Sequence, residues 1–332
     1  MLNIDGAHGE GGGQIVRTAL AMSMITGEKI KLTDIRANRP NPGLSHQHVM
    51  AVRAAREICD AETEGVEKGS SKIVFDPEDV KGGGFEFDIG TAGSVTLLAQ
   101  ALLPAALPSG KRFSMVLKGG TDVKWSPPYD YFENVFLALL KKMGANISSK
   151  LVKRGHYPKG GGEMELNIEP GQLTSQETSQ QTDAVKGRSF VTNLPEHIAR
   201  RMKKEVLKEF LEQETSITID SYSSASAGTG IVIWTIGKKI VGKGVLGEKG
   251  VPAEKVGREA AEGLKEEIQA DVDLDVNAAD QLIPYLAMID DEGVLKVRKK
   301  TGHLETNVWV VNQFPGMDVE LEEEDGIVKI IY

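Results

Sequence analysis

The sequence predicts an α+β (α/β-like) chain of three βαβαββ units in a pseudo-threefold arrangement, with a small α+β domain inserted in the third. Three observations carry this. One order of strand-like and helix-like runs recurs along the chain, with glycine-rich or polar tips at matching places. Each run, taken alone, has an apolar face that only packing against its counterparts would bury. Between the second and third recurrences the composition shifts at a polar, hydrophobe-poor stretch, 174–182, before helix and strand signals in a different order. The expected division is 1–183 with 274–332 as the main domain and 184–273 as the insert.

The first unit opens on a strand at 2–4 and a glycine-rich turn at 9–13. A largely apolar helix at 14–24 follows and ends at Gly27. A strand at 29–32 then reaches a polar tip at 35–40, a second helix spans 45–59, and two strands near 62–64 and 72–75 close the unit. The second unit repeats this: strand 85–88, turn 90–94, helix 95–103 closed by Pro104 and Pro108, and strand 113–117. Its tip is 119–122, its second helix runs from about 129 to 143, and strands at 145–152 and 163–168 close it. The third is split: helix 280–289, strand 294–297, a tip around His303, helix 307–314, and a closing pair at 318–321 and 327–331 joined by Asp325-Gly326, a hairpin signal. The inserted stretch reads as a strand near 189–192, a charged helix from 194 to 211, strands near 216–221 and 230–236, and a helix opened by Pro252.

Composition bounds the function. The chain is 40% apolar and 26% charged over 332 residues, as a soluble globular protein of this size requires. No apolar run approaches the roughly 20 residues that span a bilayer. Residues 1–6 have no basic or apolar leader pattern, so cytoplasm is the expected location. Cys59 stands alone, which excludes a disulfide within the chain and predicts a small core residue; Met22, Met24 and Met288 read as core as well. A net charge of −9 speaks against coating bulk nucleic acid, but not against gripping one end of a strand with a few arginines. The six histidines show no metal-binding spacing.

The chemistry concentrates at the tips. His303 lies in Gly302-His303-Leu304-Glu305-Thr306-Asn307, where a strand hands over to a helix expected to start at Asn307, with Glu305, Thr306 or Asn307 as cap. A helix start supplies unpaired amides and partial positive charge, so a histidine there is placed to meet a phosphate. Glu10 sits inside Gly9-Glu10-Gly11-Gly12-Gly13-Gln14, which is neither a Walker loop nor a Rossmann fingerprint. A carboxylate among anion-binding amides suits a divalent cation shared with phosphates. Arg36 and Arg39, in a proline-stiffened loop, have the fork that grips a terminal phosphate. Arg17 falls among apolar neighbours one turn into the first helix and needs an anion. In His46-Gln47-His48 the histidines point to different helix faces, leaving Gln47 as a polar contact. Equivalent tips of a pseudo-threefold assembly, Arg36 to Arg39, Gly119 to Asp122 and His303, are expected to converge on one cleft.

Taken together with Ile35-Arg36-Ala37-Asn38-Arg39-Pro40-Asn41-Pro42-Gly43-Leu44, Gly119-Gly120-Thr121-Asp122 and His156-Tyr157-Pro158-Lys159-Gly160-Gly161-Gly162, these motifs make the chain resemble the RNA 3′-terminal phosphate cyclases over essentially its whole length. The resemblance implies ATP-dependent conversion of an RNA 3′-phosphate to a 2′,3′-cyclic phosphate, on a fold of three βαβαββ units plus an insert related to the enolpyruvyl transferases. It implies that His303 becomes adenylylated and that Glu10 contacts a divalent metal, Mg2+ or Mn2+. Arg17, Arg36, Arg39 and Gln47 would grip the RNA end. Gln100 and Pro127 would line the nucleotide pocket, with Pro127 on the adenine. Asn277, Ala278, Ala279, Asp280 and Gln281 would hold AMP; bacterial members carry tyrosine where this chain has Asn277. ATP and RNA 3′-phosphate ends are the expected partners, no membrane is expected, and a homo-oligomer stays open. The rival readings are a non-catalytic RNA-processing scaffold of the same family, against which His303 argues, and an enolpyruvyl-type transferase. The insert carries no motif matched to the chemistry, so its deletion is expected to spare the reaction of His303 with ATP and to weaken RNA cyclisation.

Overall fold

The computed structural model describes residues 1–175 and 178–332; Gln176 and Glu177, inside the expected linker, lie outside the described residues. In the first sheet β1 (Leu2–Asp5) leads through α1 (Gly13–Thr26) to β2 (Ile30–Thr33), which lies parallel beside it. Helix α2 (His46–Cys59) then brings the chain to β3 (Glu62–Glu64) and β4 (Ile73–Asp76), both antiparallel additions, giving the order β1-β2-β4-β3. Apolar residues alternate along the strands: Ile30 and Leu32 of β2 and Ile73 and Phe75 of β4 are fully buried, while their neighbours are not.

The second sheet repeats that order of pairing. β5 (Gly83–Asp88), α3 (Val95–Ala106) and β6 (Phe113–Gly119) form the parallel pair. A helical run, α4 (Tyr129–Tyr131), a π-helical segment (Phe132–Phe136) and α5 (Leu137–Lys142), leads to β7 (Asn146–Lys153) and β8 (Gly162–Glu169), in the order β5-β6-β8-β7. Helix α3 does not stop at Pro104 as its sequence suggested. Pro104 lacks the N–H that would pair with the Gln100 carbonyl, yet the helix runs on to Ala106 because almost every side chain around it is buried.

Next come β9 (Thr182–Thr192), α6 (His197–Glu209), β10 (Thr215–Tyr222), β11 (Gly228–Gly237), β12 (Gly242–Leu246) and α7 (Ala253–Gln269). They make a separate sheet, β10-β9-β11-β12, with α6 and α7 packed against it. Strand β12 carried no signal in the sequence, because Gly242, Lys243 and Gly244 dilute its apolar pattern. The chain closes with α8 (Val276–Leu286), β13 (Val294–Val297), α9 (Gly302–Val311), β14 (Glu320–Glu324) and β15 (Ile327–Ile331). The last sheet has three strands, β13-β15-β14, and a single parallel bridge from Leu274 to Val297 stands where the other two sheets carry a full first strand.

Helices α1, α2, α3, α8 and α9 pack on one another between these sheets. Their side chains, with those from the three outer sheets, form one hydrophobic cluster; a second cluster gathers around Met202, Ile233 and Leu264. Cys59, Met22 and Met24 are core residues, as expected, and Met288 packs against the core at its edge. Strand β11 serves both clusters: Val232 and Trp234 face the larger, Ile231 and Ile233 the smaller. Between the clusters lies a buried ionic group. Arg154, 1% exposed, bonds Asp122 at 2.9 and 3.0 Å and Asp130 at 2.5 Å, and its guanidinium stacks 3.8 Å over Phe190. Among the described residues no helix is long and apolar enough to cross a membrane.

Candidate active site

His303 is the second residue of α9, so the helix starts five residues earlier than the Asn307 the sequence suggested. Thr301 is the cap: its hydroxyl accepts from the Leu304 amide at 3.0 Å and its carbonyl from the Glu305 amide. Cap reading from the sequence failed here because Thr306 and Asn307 also look like caps, whereas Thr306 bonds within the helix and Asn307 reaches the neighbouring helices. Thr306 bonds the Gly302 carbonyl at 2.6 Å. That leaves the amides of Gly302 and His303 with no hydrogen-bond partner among the described residues, the condition for anion binding at a helix start.

Two carboxylates bracket the imidazole. His303 Nε2 lies 2.7 Å from Glu10 and Nδ1 lies 3.7 Å from Asp280. Together they raise the His303 pKa above the ordinary imidazole value: the close approach of the Asp280 carboxylate leads, and the charge of Glu10 adds to it, against partial burial and the charge of Arg17. Glu10 is the nearer group but sits in more solvent, 38% exposed against 16% for Asp280, so Asp280 has the larger effect. Asp280 is itself pushed up by burial, with the nearby His303 ring and the charge of Arg17 opposing.

Glycines let the loop before α1 reach this place. A Cβ on Gly302 would lie 2.5 Å from a Glu10 carboxylate oxygen, and one on Gly9, at φ +54°, would lie 2.5 Å from the Thr306 hydroxyl. The same loop stacks His8 on Trp309, with ring centroids 3.7 Å apart. Helix α1 is tied to α9 as Gln14 donates to the His303 carbonyl at 3.2 Å and Thr18 to Asn307 at 2.9 Å. Asn307 in turn donates to the Asp280 carbonyl at 2.8 Å. Pro284 explains that bond: four residues on from Asp280, it has no N–H to satisfy the carbonyl within α8.

Arg17 is half-buried and forms no ion pair among the described residues; burial draws its pKa down to about 10, with Asp280 opposing. Arg39 donates to the Glu10 carbonyl at 3.0 Å and lies 3.9 Å from its carboxylate. Arg36, at φ 53°, turns one nitrogen back onto the Gly43 carbonyl at 2.7 Å, so part of its fork shapes its own loop. Gln47 accepts from the Ser94 amide at 2.8 Å. Next to it His48 is buried and accepts from the Ser45 amide through Nδ1, and burial lowers its pKa to about 3, helped by the charges of Arg17 and Arg36.

Gln100 donates to Gln281 at 2.5 Å, and Gln281 to the Asn277 carbonyl at 2.6 Å, so these three are joined across α3 and α8. Asn277 is exposed, whereas the side chains of Ala278 and Ala279 are fully buried and turn away from solvent. The carbonyl of Pro127 accepts from Thr96 at 2.8 Å. Sequence reading missed Asp275, which starts α8. One of its oxygens takes Tyr131 at 2.6 Å and the amides of Asn277 and Ala278; the other takes the Gly242 amide at 2.9 Å. An acidic residue three positions before Ala278 was the available signal. The Gly119 to Asp122 tip does not join the cleft as expected. Thr121 and Asp122 are buried, because Arg154 needs Asp122 as its counter-charge.

A mixed α/β chain thus holds a histidine at an open helix start, between two carboxylates and, among the described residues, beside an arginine without an ion pair. In comparison with known proteins, the family model described as RNA 3′-terminal phosphate cyclase matches residues 8–321. Similar curated proteins carry that same name. The one from Methanopyrus kandleri is 46% identical, covering 98% of this chain and 96% of its own. Those from Pyrococcus furiosus (44% identical, covering 100% of this chain and 99% of its own) and Archaeoglobus fulgidus (43%, covering 99% and 100%) align over nearly their whole lengths. The chain belongs to the RNA 3′-terminal phosphate cyclase family.

Proposed function

We propose that this chain is an ATP-dependent RNA 3′-terminal phosphate cyclase working through a covalent histidine–AMP. The observation that carries the reading is the setting of His303, on a helix start with unpaired amides and between Glu10 and Asp280. Asp280 beside Nδ1 orients the ring and offsets the positive charge that grows on it; Nε2 is the attacking atom once Glu10, 2.7 Å away, has taken its proton and turned aside. Nε2 bonds to the α-phosphorus of ATP as the bond to pyrophosphate breaks. The helix-start amides and Arg17 offset the charge on the phosphoryl oxygens. An oxygen of the RNA 3′-phosphate then takes AMP from His303. The neighbouring 2′-OH attacks that phosphorus and AMP leaves, an intramolecular step in which positioning supplies most of the acceleration. The balance is one ATP consumed and AMP, pyrophosphate and a cyclic end formed.

Arg39, Arg36 and Gln47 are assigned to the RNA end; Gln100, Pro127 and residues 277–281 to the nucleotide, the buried Ala278 and Ala279 through backbone alone. A divalent cation fits at Glu10. Among the described residues no group of three His, Cys, Asp or Glu is placed to hold a metal by itself, so one carboxylate plus substrate phosphates is the arrangement available. Such an ion would offset phosphate charge. Gln14 Oε1, buried and unpartnered among the described residues, marks a further polar position at the same loop. We further infer that the shared strand order of the outer sheets reflects three βαβαββ units, the third cut down to the Leu274 bridge at its first strand. On this reading 184–273 is an insert and the cytoplasm is the place of work.

The test is incubation with α-labelled ATP and a divalent cation. The unaltered chain should form an acid-labile, alkali-stable nucleotide adduct, and His303→Ala should form none while melting at the same temperature, since the side chain is 52% exposed. A normal adduct level in the variant would sink the assignment.

A further inference from the structure

Two large aromatic side chains stand in solvent with no role in this chemistry. Trp125 is 95% exposed and Tyr157 77%, and among the described residues no other aromatic of their size is largely exposed. Burying either ring would be favourable by a kcal/mol or more, on the order of what full burial of a large apolar side chain contributes. Trp125 carries a second cost, a backbone φ of 61°, a region bulky residues rarely occupy. Its loop is held on both sides. The Tyr129 amide donates to the Thr121 carbonyl, Ser126 donates to Val123, Thr96 donates to Pro127, and Lys124 pairs with Glu248 at 2.7 Å. The chain thus fixes an indole in solvent at the expense of backbone strain, which points to a partner outside the chain.

The two loops are one structure. The amides of Thr121 and Asp122 both donate to the Gly155 carbonyl, and His156 Nδ1 lies 3.1 Å from the Asp122 carbonyl. They also reach the residues assigned to the RNA end. A Cβ on Gly160 would meet the Thr91 carbonyl at 2.7 Å, and one on Gly93, on the same 90–94 turn, would meet the Gln47 side chain at 3.2 Å. The 155–162 turn, the 90–94 turn and Gln47 are therefore packed in succession. Charge follows the same path. Residues 150–162 include Lys150, Lys153, Arg154 and Lys159 and no acid. Arg154 is neutralised internally and Lys150 pairs with Glu165, but Lys153 and Lys159 are exposed and form no ion pair among the described residues.

We propose that Trp125 and Tyr157 are a stacking platform, with Lys159 as phosphate contact, for the single-stranded RNA that leads to the reacting 3′ end. Exposed aromatics beside unpaired lysines are how sequence-tolerant single-strand binding works: bases stack on the rings and the backbone meets the cations. This rests on the cyclase reading, so the experiment keeps the two apart. Binding of a 3′-phosphorylated decaribonucleotide is measured by fluorescence anisotropy without ATP, and cyclisation is measured across lengths from dinucleotide to decamer. Trp125→Ala or Tyr157→Ala should weaken decamer binding and raise its KM about 5- to 100-fold, as loss of one stacked base does. The dinucleotide KM, kcat and adduct formation should stay unchanged, and Trp125→Phe and Tyr157→Phe should restore the decamer. Lys159→Ala should flatten the salt dependence of decamer binding. Unchanged decamer binding in both alanine variants overturns the platform, as does an equal loss for the dinucleotide or for adduct formation, which would move these rings into the nucleotide pocket. If the unaltered chain forms no adduct, the cyclase reading fails, and the anisotropy measurement still decides the platform.

Discussion

At the scale of single residues, the pKa of His303 gives the clearest prediction. Attack requires neutral imidazole, and Asp280 and Glu10 raise the pKa above 6.5. The neutral fraction, and with it the rate of adduct formation, should therefore climb as pH rises, with its midpoint above pH 6.5. Asp280→Asn removes the leading cause of the upward shift, so the midpoint should move to lower pH even as the maximal rate drops. A pH–rate profile of adduct formation checks both; a midpoint that moved upward would show that Asp280 does not stabilise the imidazolium. The residues proposed for the chemistry stood out in the sequence because phosphate chemistry draws on few residue types, and the structure brings Glu10, Arg39 and His303, each from a singled-out motif, to one place. Their partners were not legible. Which carboxylate meets which ring nitrogen, and that Arg17 has no ion pair among the described residues, depends on contacts between residues far apart in the chain, while Arg36 turning back on Gly43 depends on the shape of its own loop.

At the scale of elements, the site is a docking of the 8–11 loop onto one face of α9, at Gly302, Thr306 and Trp309. These positions are spaced four and three residues apart, so they line one side of the helix. Gly302 is the one with no room to spare. Gly302→Ala should strengthen the helix slightly, since alanine is the better helix former, yet push Glu10 away from the imidazole. Adduct formation should fall about tenfold, the equivalent of about 1.4 kcal/mol in the transition state, with no loss of melting temperature. An unaltered rate would show that the approach of Glu10 to His303 is not needed. Strands and helices were largely legible from periodicity, and misreadings fell where a local rule met a stronger packing term. Pro104, read as a helix stop, sits inside a helix whose burial outweighs the lost hydrogen bond; the helix through Pro284 was read as continuous, and there the gap is filled by Asn307. The start of α9 was misplaced because several capping residue types crowd one turn.

At the scale of the whole molecule, the matching element order of the first two sheets was legible, but the way 182–269 attaches was not. The sequence suggested a unit that could be cut away without harm to the reaction with ATP. The structure gives three reasons against that. The Gly242 amide completes the shell of Asp275, which starts the helix bearing Asp280. Phe190 covers Arg154. And Val232 and Trp234 belong to the larger core. Deleting 184–273 should therefore expose apolar surface and leave a buried arginine uncovered, and the product should aggregate or melt well below the parent and form little adduct; a stable, fully reactive deletion product would refute this. Strand β11 has a further consequence. Its two faces belong to different cores, so it cannot leave one without tearing the other, and heat finds no seam between them. Scanning calorimetry of the full chain should show a single endotherm whose van't Hoff and calorimetric enthalpies agree, although proteins with two cores commonly melt in steps. Two resolved endotherms would mean the shared strand does not couple them. If one endotherm is seen, damage to Ile231 or Ile233, remote from the histidine, should lower the temperature at which the whole molecule, catalytic site included, comes apart.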